Sequence, residues 1–185
     1  MNAETVKKAS GRWTAKSMTT TALMTALLSV SSYIVIPLPF TAASITAQTM
    51  VVNLIGMILG PAETAAVFAV WILLGLVGAP VFSGGASGPA KLFGPTGGYI
   101  FGFMAAALLI SLFCTKVKDL RKVTVFLIAA GIPVIYLFGA GWMKIVTAQP
   151  WPAVMVQSVL PFIPLDIVKC FAAAALAKAL RAALR

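Results

Sequence analysis

The sequence predicts an all-α polytopic membrane protein, a bundle of six transmembrane helices forming one domain over residues 1–185. Three observations carry that expectation. Hydrophobic residues fill 61% of the chain and charged residues only 10%, too few charges to cover the surface of a water-soluble domain. The apolar residues run in long stretches separated by Gly, Pro and short basic clusters. A bilayer core of roughly 30 Å needs about 20 helical residues per crossing, so 185 residues supply at most about six or seven crossings and no sizeable soluble domain.

Residues 1–16 are polar and basic, with Lys7, Lys8, Arg12 and Lys16, and the first span follows at 17–36. A basic head before an apolar run imitates a secretory signal. This run is longer than a signal core and other spans follow it, so it is expected to stay in place as a transmembrane helix ending at Pro37 and Pro39. The second span, 46–59, stops at Gly60-Pro61, and the third, 61–76, begins there because proline fits the first turn of a helix. Residues 78–97, GAPVFSGGASGPAKLFGPTG, are so rich in Gly and Pro that no helix is expected in them. A loop of that length in a small protein is commonly functional, and its backbone must be satisfied by protein or water. The fourth span, 98–114, ends at the cluster Lys116, Lys118, Arg121 and Lys122, which also holds Asp119. The fifth, 123–146, carries Gly131-Ile132-Pro133, which is expected to bend it. A QPWP turn at Gln149–Pro152, flanked by the interfacial aromatics Trp142 and Trp151, leads to the sixth span, 154–180, with Pro161 and Pro164 in its first half.

Six spans put both termini on one side of the membrane. Sorting the basic residues by connection assigns eleven to the terminal side (Lys7, Lys8, Arg12, Lys16, Lys116, Lys118, Arg121, Lys122, Lys178, Arg181, Arg185) and two, Lys91 and Lys144, to the other. The excess of Lys and Arg marks the cytoplasmic side, so both termini are expected in the cytoplasm and the Gly-rich loop outside. The net charge of +10 is therefore a topology signal, not a nucleic-acid footprint.

Several chemistries are excluded. The chain has no His, which removes the commonest general base and the commonest zinc ligand. Its two cysteines, Cys114 and Cys170, read as inert buried thiols. No G-x-x-x-x-G-K-[ST] phosphate loop occurs, so any active transport must draw its energy from partners. No cofactor or metal is expected.

Asp166 and Lys169 are the ionisable residues inside an apolar span, and their spacing of three puts them on one helix face. Counted from the start of the sixth span, Asp166 lies about twelve residues, or roughly 18 Å, along a helix entering from outside. An intramembrane ion pair marks either a polar cavity or a neutralised contact that fixes helix packing. Apolar residues serve packing better, which favours the cavity. The Gly94–Tyr99 run, GPTGGY, opens the fourth helix, where backbone N–H groups suit an anion; it equally suits a tight turn followed by a Gly98-x-x-x-Gly102 packing stripe. Ala22 and Ala26 make a small-residue stripe on the first helix, beside Ser29. Phe40, Gln48, Asn53 and Trp71 are candidates for a cavity wall or for ordinary bundle residues.

The chain resembles the BioY family, the biotin-specific S component of energy-coupling factor transporters. The resemblance covers nearly the whole chain. It rests on the basic N-terminus before Ala22-x-x-x-Ala26, GAPVFSGGASG from residue 78, GPTGGYIFGF at 94–103, and PFIPLDIVK at 161–169. It implies a six-helix S-component fold in a prokaryotic cell membrane that binds biotin from outside, in a pocket roofed by loops and walled by the later helices. It implies partners too: a transmembrane coupling subunit, which Ala22 and Ala26 face, and a pair of cytoplasmic ATPases. By the same resemblance Asp166 and Lys169 line the biotin site, with Ser83, Gly84, Thr96 and Tyr99 nearby. Biotin suits such a site, with Asp166 accepting from a ureido N–H, Lys169 donating to the carbonyl or balancing Asp166, and the tail carboxylate near the fourth-helix start. Other readings are an S component for a different vitamin, a solitary transporter without coupling partners, a membrane enzyme using Asp166 and Lys169 as acid and base, and a scaffold ordered by that pair.

Overall fold

The structure, a computed structural model, describes residues 13–117 and 119–183, with side chains described as far as residue 180. Lys7, Lys8, Arg12, Lys118 and Arg185, and the side chain of Arg181, lie outside the described residues.

Helix α1 (Ala15–Ser31) is capped by Thr14, whose hydroxyl accepts from the Ser17 N–H at 3.1 Å. Its polar residues are accommodated by donating back along the helix: the hydroxyls of Thr19, Thr20, Thr25 and Ser29 each reach the carbonyl four residues earlier at 2.9 Å. The helix stops short of the expected limit at residue 36. Val35–Ile36 instead forms strand β1, antiparallel to β2 (Ile45–Thr46), with Val35 opposite Thr46. The residue before a proline avoids the helical region and Ile34-Val35-Ile36 is β-branched throughout, so the chain extends before Pro37.

Helix α2 (Gln48–Ile58) is buried over most of its length and ends where Leu59 turns extended before Gly60-Pro61. Helix α3 (Pro61–Leu76) starts on that proline. Glu63 in its first turn accepts from the Gly60 N–H at 3.0 Å and from the Ser17 hydroxyl, which ties α3 to the start of α1. The Gly-rich connection contains a helix that the sequence reading does not allow. After a 3₁₀ turn at Ser83–Gly85 comes α4 (Pro89–Phe93), short but regular, with Pro89 at a first-turn position where its missing N–H costs nothing.

Helix α5 (Gly97–Lys116) is central to the bundle, packed on α2, α3, α4 and the helical run over residues 120–147. Asp119 caps α6 (Leu120–Phe126) by accepting from the Arg121 N–H at 2.9 Å. The helix continues through a π-helical turn, Leu127–Gly131, into α7 (Ile132–Thr147), making one 28-residue apolar run. The widened turn precedes Pro133 and absorbs the ring that would otherwise meet the carbonyl four residues back, so the expected interruption is a π turn inside a continuing helix. Gly98 faces α7 so closely that a Cβ there would lie 2.3 Å from the Phe138 carbonyl oxygen, which makes the Gly98-x-x-x-Gly102 stripe a packing surface.

The last expected span is broken. Helix α8 (Trp151–Ser158) and helix α9 (Ile163–Ala183) meet at a bend of 42°, because Pro161 cannot continue the hydrogen-bond ladder of α8 while Pro164 fits the first turn of α9. Asp166 therefore sits in the first turn of α9, not deep within a continuous helix. Among the described residues, α5 and the α6–α7 run are long and apolar enough to cross a bilayer, the bent α8–α9 pair passes as a third span, and α2 and α3 are shorter apolar helices.

Candidate functional site

A cavity of about 620 Å³, counting the space at its mouth, lies where the start of α2 and the Gly-rich loop meet α5, α7 and the first turn of α9. Its apolar wall comes from Trp71, Phe82, Ile100, Phe103, Ile135 and Phe162. Trp71 is fully buried, donates its indole N–H to the Val81 carbonyl at 3.1 Å, and packs edge-on against Phe82, so the loop is anchored to α3 by a rigid aromatic contact.

Asp166 is 3% exposed and lies in the cavity wall. One carboxylate oxygen accepts from Lys169 Nζ at 2.8 Å, the other from the Tyr136 hydroxyl at 2.8 Å. Placement in the first turn of α9 adds the favourable field of the helix N-terminus to these two donors. Lys169 and Tyr136 line the same cavity. A partly desolvated ion pair that faces empty space, with one oxygen held by α7 and the other by its own helix, is a preorganised polar surface.

The other sequence candidates divide. Ser83, Thr96 and Tyr99 line the cavity. The Tyr99 hydroxyl is engaged, donating to the Ser158 carbonyl that the α8 break leaves without a helical partner, so Tyr99 presents its ring. Thr96 stands at the N-cap of α5 with no capping hydrogen bond from its side chain. The helix start has little left for an anion, since the Gly97 and Tyr99 N–H groups donate to Gly94 and Thr96 carbonyls at 3.0 and 3.2 Å. Gly84 does not line the cavity. It holds a left-handed turn at φ 73° and donates its N–H to the Ser32 carbonyl at 2.9 Å, fixing the loop to the end of α1. Of the four wall candidates, Gln48 and Trp71 line the cavity, while Phe40 is exposed and Asn53 is buried elsewhere, donating to Cys170 Sγ at 3.4 Å.

Two wall residues escape a reading of the sequence. Tyr136 lies in an apolar run with no charge beside it. Lys91 counts only as a loop charge in the sequence, yet α4 turns it into the cavity, where its ammonium makes no hydrogen bond or ion pair with a described residue and burial lowers its pKa from the ordinary 10.5. A lone cation in a Gly-rich loop on the side that holds few charges is the signal that could have found it.

Ala22 and Ala26 lie away from this cavity. They line an open apolar groove between α1 and α3, together with Thr25, Ser29, Ala66 and Val70.

An apolar helical bundle with Asp166, Lys169 and Tyr136 in the wall of one cavity has the make-up of a membrane protein with a small-molecule site. Comparison with known proteins makes the class particular. The model of the BioY family matches residues 3–185, and the chain belongs to that family. It is 36% identical over 170 residues to a probable biotin transporter BioY of Pyrococcus horikoshii, covering 90% of this chain and 97% of that one. It is 34% identical over 162 residues to the biotin transporter BioY of Thermotoga maritima, covering 86% and 92%. Among solved structures it matches the S-component for biotin from an ECF-type ABC transporter, with a TM-score of 0.82, 26% identity, and coverage of 98% of this chain and 94% of that one. The family is one of transporters, not enzymes.

Proposed function

We propose that this chain captures biotin at the outer face of a prokaryotic cell membrane and delivers it inward as the substrate-binding subunit of an energy-coupling factor transporter. The observation that carries the reading is the Asp166–Lys169 pair, Asp166 buried and Lys169 partly so, held by Tyr136 and lining a cavity whose wall is otherwise mostly apolar and aromatic, the make-up of a small-molecule site. In this reading the polar pair meets the ureido ring, the apolar bicyclic body lies against Trp71, Phe82, Phe103 and Phe162, and the tail carboxylate pairs with Lys91 instead of the start of α5. Ser83, Thr96 and the ring of Tyr99 complete the wall, and Gly84 shapes the loop above it. The names of the relatives support biotin over other vitamins.

The chain crosses the membrane six times with both termini in the cytoplasm, an arrangement supported by the eleven-to-two division of basic residues. Energy comes from partners, a transmembrane coupling subunit seated along Ala22 and Ala26 and a pair of ATPases, since this chain carries no phosphate loop. Calorimetry of the purified chain against biotin, dethiobiotin, thiamin and riboflavin tests the substrate: saturable binding of biotin with no response to thiamin or riboflavin is expected, and silence toward biotin would overturn the reading. Uptake of tritiated biotin in cells with and without the coupling subunit and ATPases tests the partners, because a solitary transporter would work equally in both.

A further inference from the structure

Gln48 is the first residue of α2, and its side chain lies in the cavity wall at 1% exposure. Its backbone N–H is satisfied by the Thr46 hydroxyl at 3.3 Å, but its carboxamide Nε2 makes no hydrogen bond. Leaving a buried polar group in that state forfeits its hydration with nothing in return. Apolar residues fill most of α2 around it, so a carboxamide at this wall position carries a cost that a group entering the cavity would offset.

The neighbouring polar groups are committed differently. Both carboxylate oxygens of Asp166 already accept from protein donors, and the hydroxyls of Tyr99 and Tyr136 already donate. Lys91 and Lys169 are donors alone. Gln48 brings a donor and an acceptor side by side in one plane, and a half-turn of the amide exchanges them, so the ligand decides which atom faces where. A ureido group carries the matching edge, a carbonyl acceptor next to an N–H donor. Two parallel N–H···O=C bonds close an eight-membered ring between them, as two amides do.

We propose that Gln48 reads the ureido edge of the ligand by this two-point pairing and so selects a cyclic urea over ring systems of similar size, leaving the second ureido N–H for Asp166. The inference rests on the biotin reading above and adds a residue and a recognition chemistry to it.

The test uses the full chain in detergent, with biotin and 2-iminobiotin as probes. The second probe is a cyclic guanidinium at neutral pH, with no carbonyl acceptor. Gln48→Met removes the pairing, and biotin affinity is expected to fall about 10–100-fold. Gln48→Glu keeps the length of the side chain but offers two acceptors and no donor, so the preference for biotin over 2-iminobiotin is expected to drop at least tenfold. Variants that bind biotin within twofold of wild type overturn the proposal. So does an equal weakening toward both probes with an unchanged ratio, which is what a packing role gives. The glutamate variant keeps the ratio measurable if the methionine variant fails to fold, and a wild-type chain that binds neither probe sinks the biotin reading itself.

Discussion

The Tyr136 hydroxyl donates to Asp166 at 2.8 Å across the interface between α7 and α9, holding one carboxylate oxygen while Lys169 holds the other. This cross-helix bond gives the ion pair a fixed orientation toward the cavity. Removing it by Tyr136→Phe is expected to destabilise the chain by about 1.5–3 kcal/mol, the usual worth of a hydrogen bond to a charged group, with biotin still bound but more weakly. Thermal unfolding in detergent with and without biotin checks both effects.

Stability and recognition separate in the pair itself. Asp166→Asn leaves Lys169 as an uncompensated, mostly buried cation and is expected to cost about 3–5 kcal/mol of stability and at least tenfold in biotin affinity. Replacing both residues with Leu is expected to recover most of the stability and none of the binding, because the desolvation cost goes with the charges. A double-leucine variant that binds biotin like wild type would reduce the pair to a packing device.

Lys91 makes binding depend on pH. Burial favours its neutral form, and a carboxylate is held only by the cation, so biotin affinity is expected to be flat around neutral pH and to fall as pH rises through a Lys91 pKa below 10.5. Lys91→Arg is expected to extend the plateau to higher pH, and Lys91→Gln to weaken biotin at least tenfold while leaving its methyl ester unchanged. Calorimetric titrations across pH 7–11 with each variant decide this.

The groove along Ala22 and Ala26 lies on a different surface from the cavity, and the two functions are expected to separate there. Ala22→Leu combined with Ala26→Leu fills the groove with side chains that a close-packed partner helix cannot pass. Biotin binding by the isolated chain is expected within twofold of wild type, while uptake in cells carrying the coupling subunit and ATPases falls at least tenfold.

Gly98 tests the packing of α5 on α7. Its added Cβ would lie 2.3 Å from a backbone carbonyl oxygen, an atom that cannot swing aside, so Gly98→Ala is expected to cost about 1–3 kcal/mol, read as a lower unfolding temperature.

Residue type alone makes several of these features visible. A charge inside an apolar run is costly, so Asp166 and Lys169 stand out in a sequence with few charges. Pro and Gly act on the backbone next to them, so the start of α3 at Pro61 follows from local rules. The same rules overreach at Pro89, which allows a five-residue helix in the loop, and understate Pro161, which breaks the last helix outright.

What the sequence by itself determined is the all-helical membrane class and the polar pair, because composition and chain-local sterics act without reference to distant residues. The tertiary structure alone decided that Gln48, Lys91, Tyr136 and Asp166 share one cavity. They come from four elements separated by dozens of residues, and a helical period says which residues share a face but not which helix that face will meet.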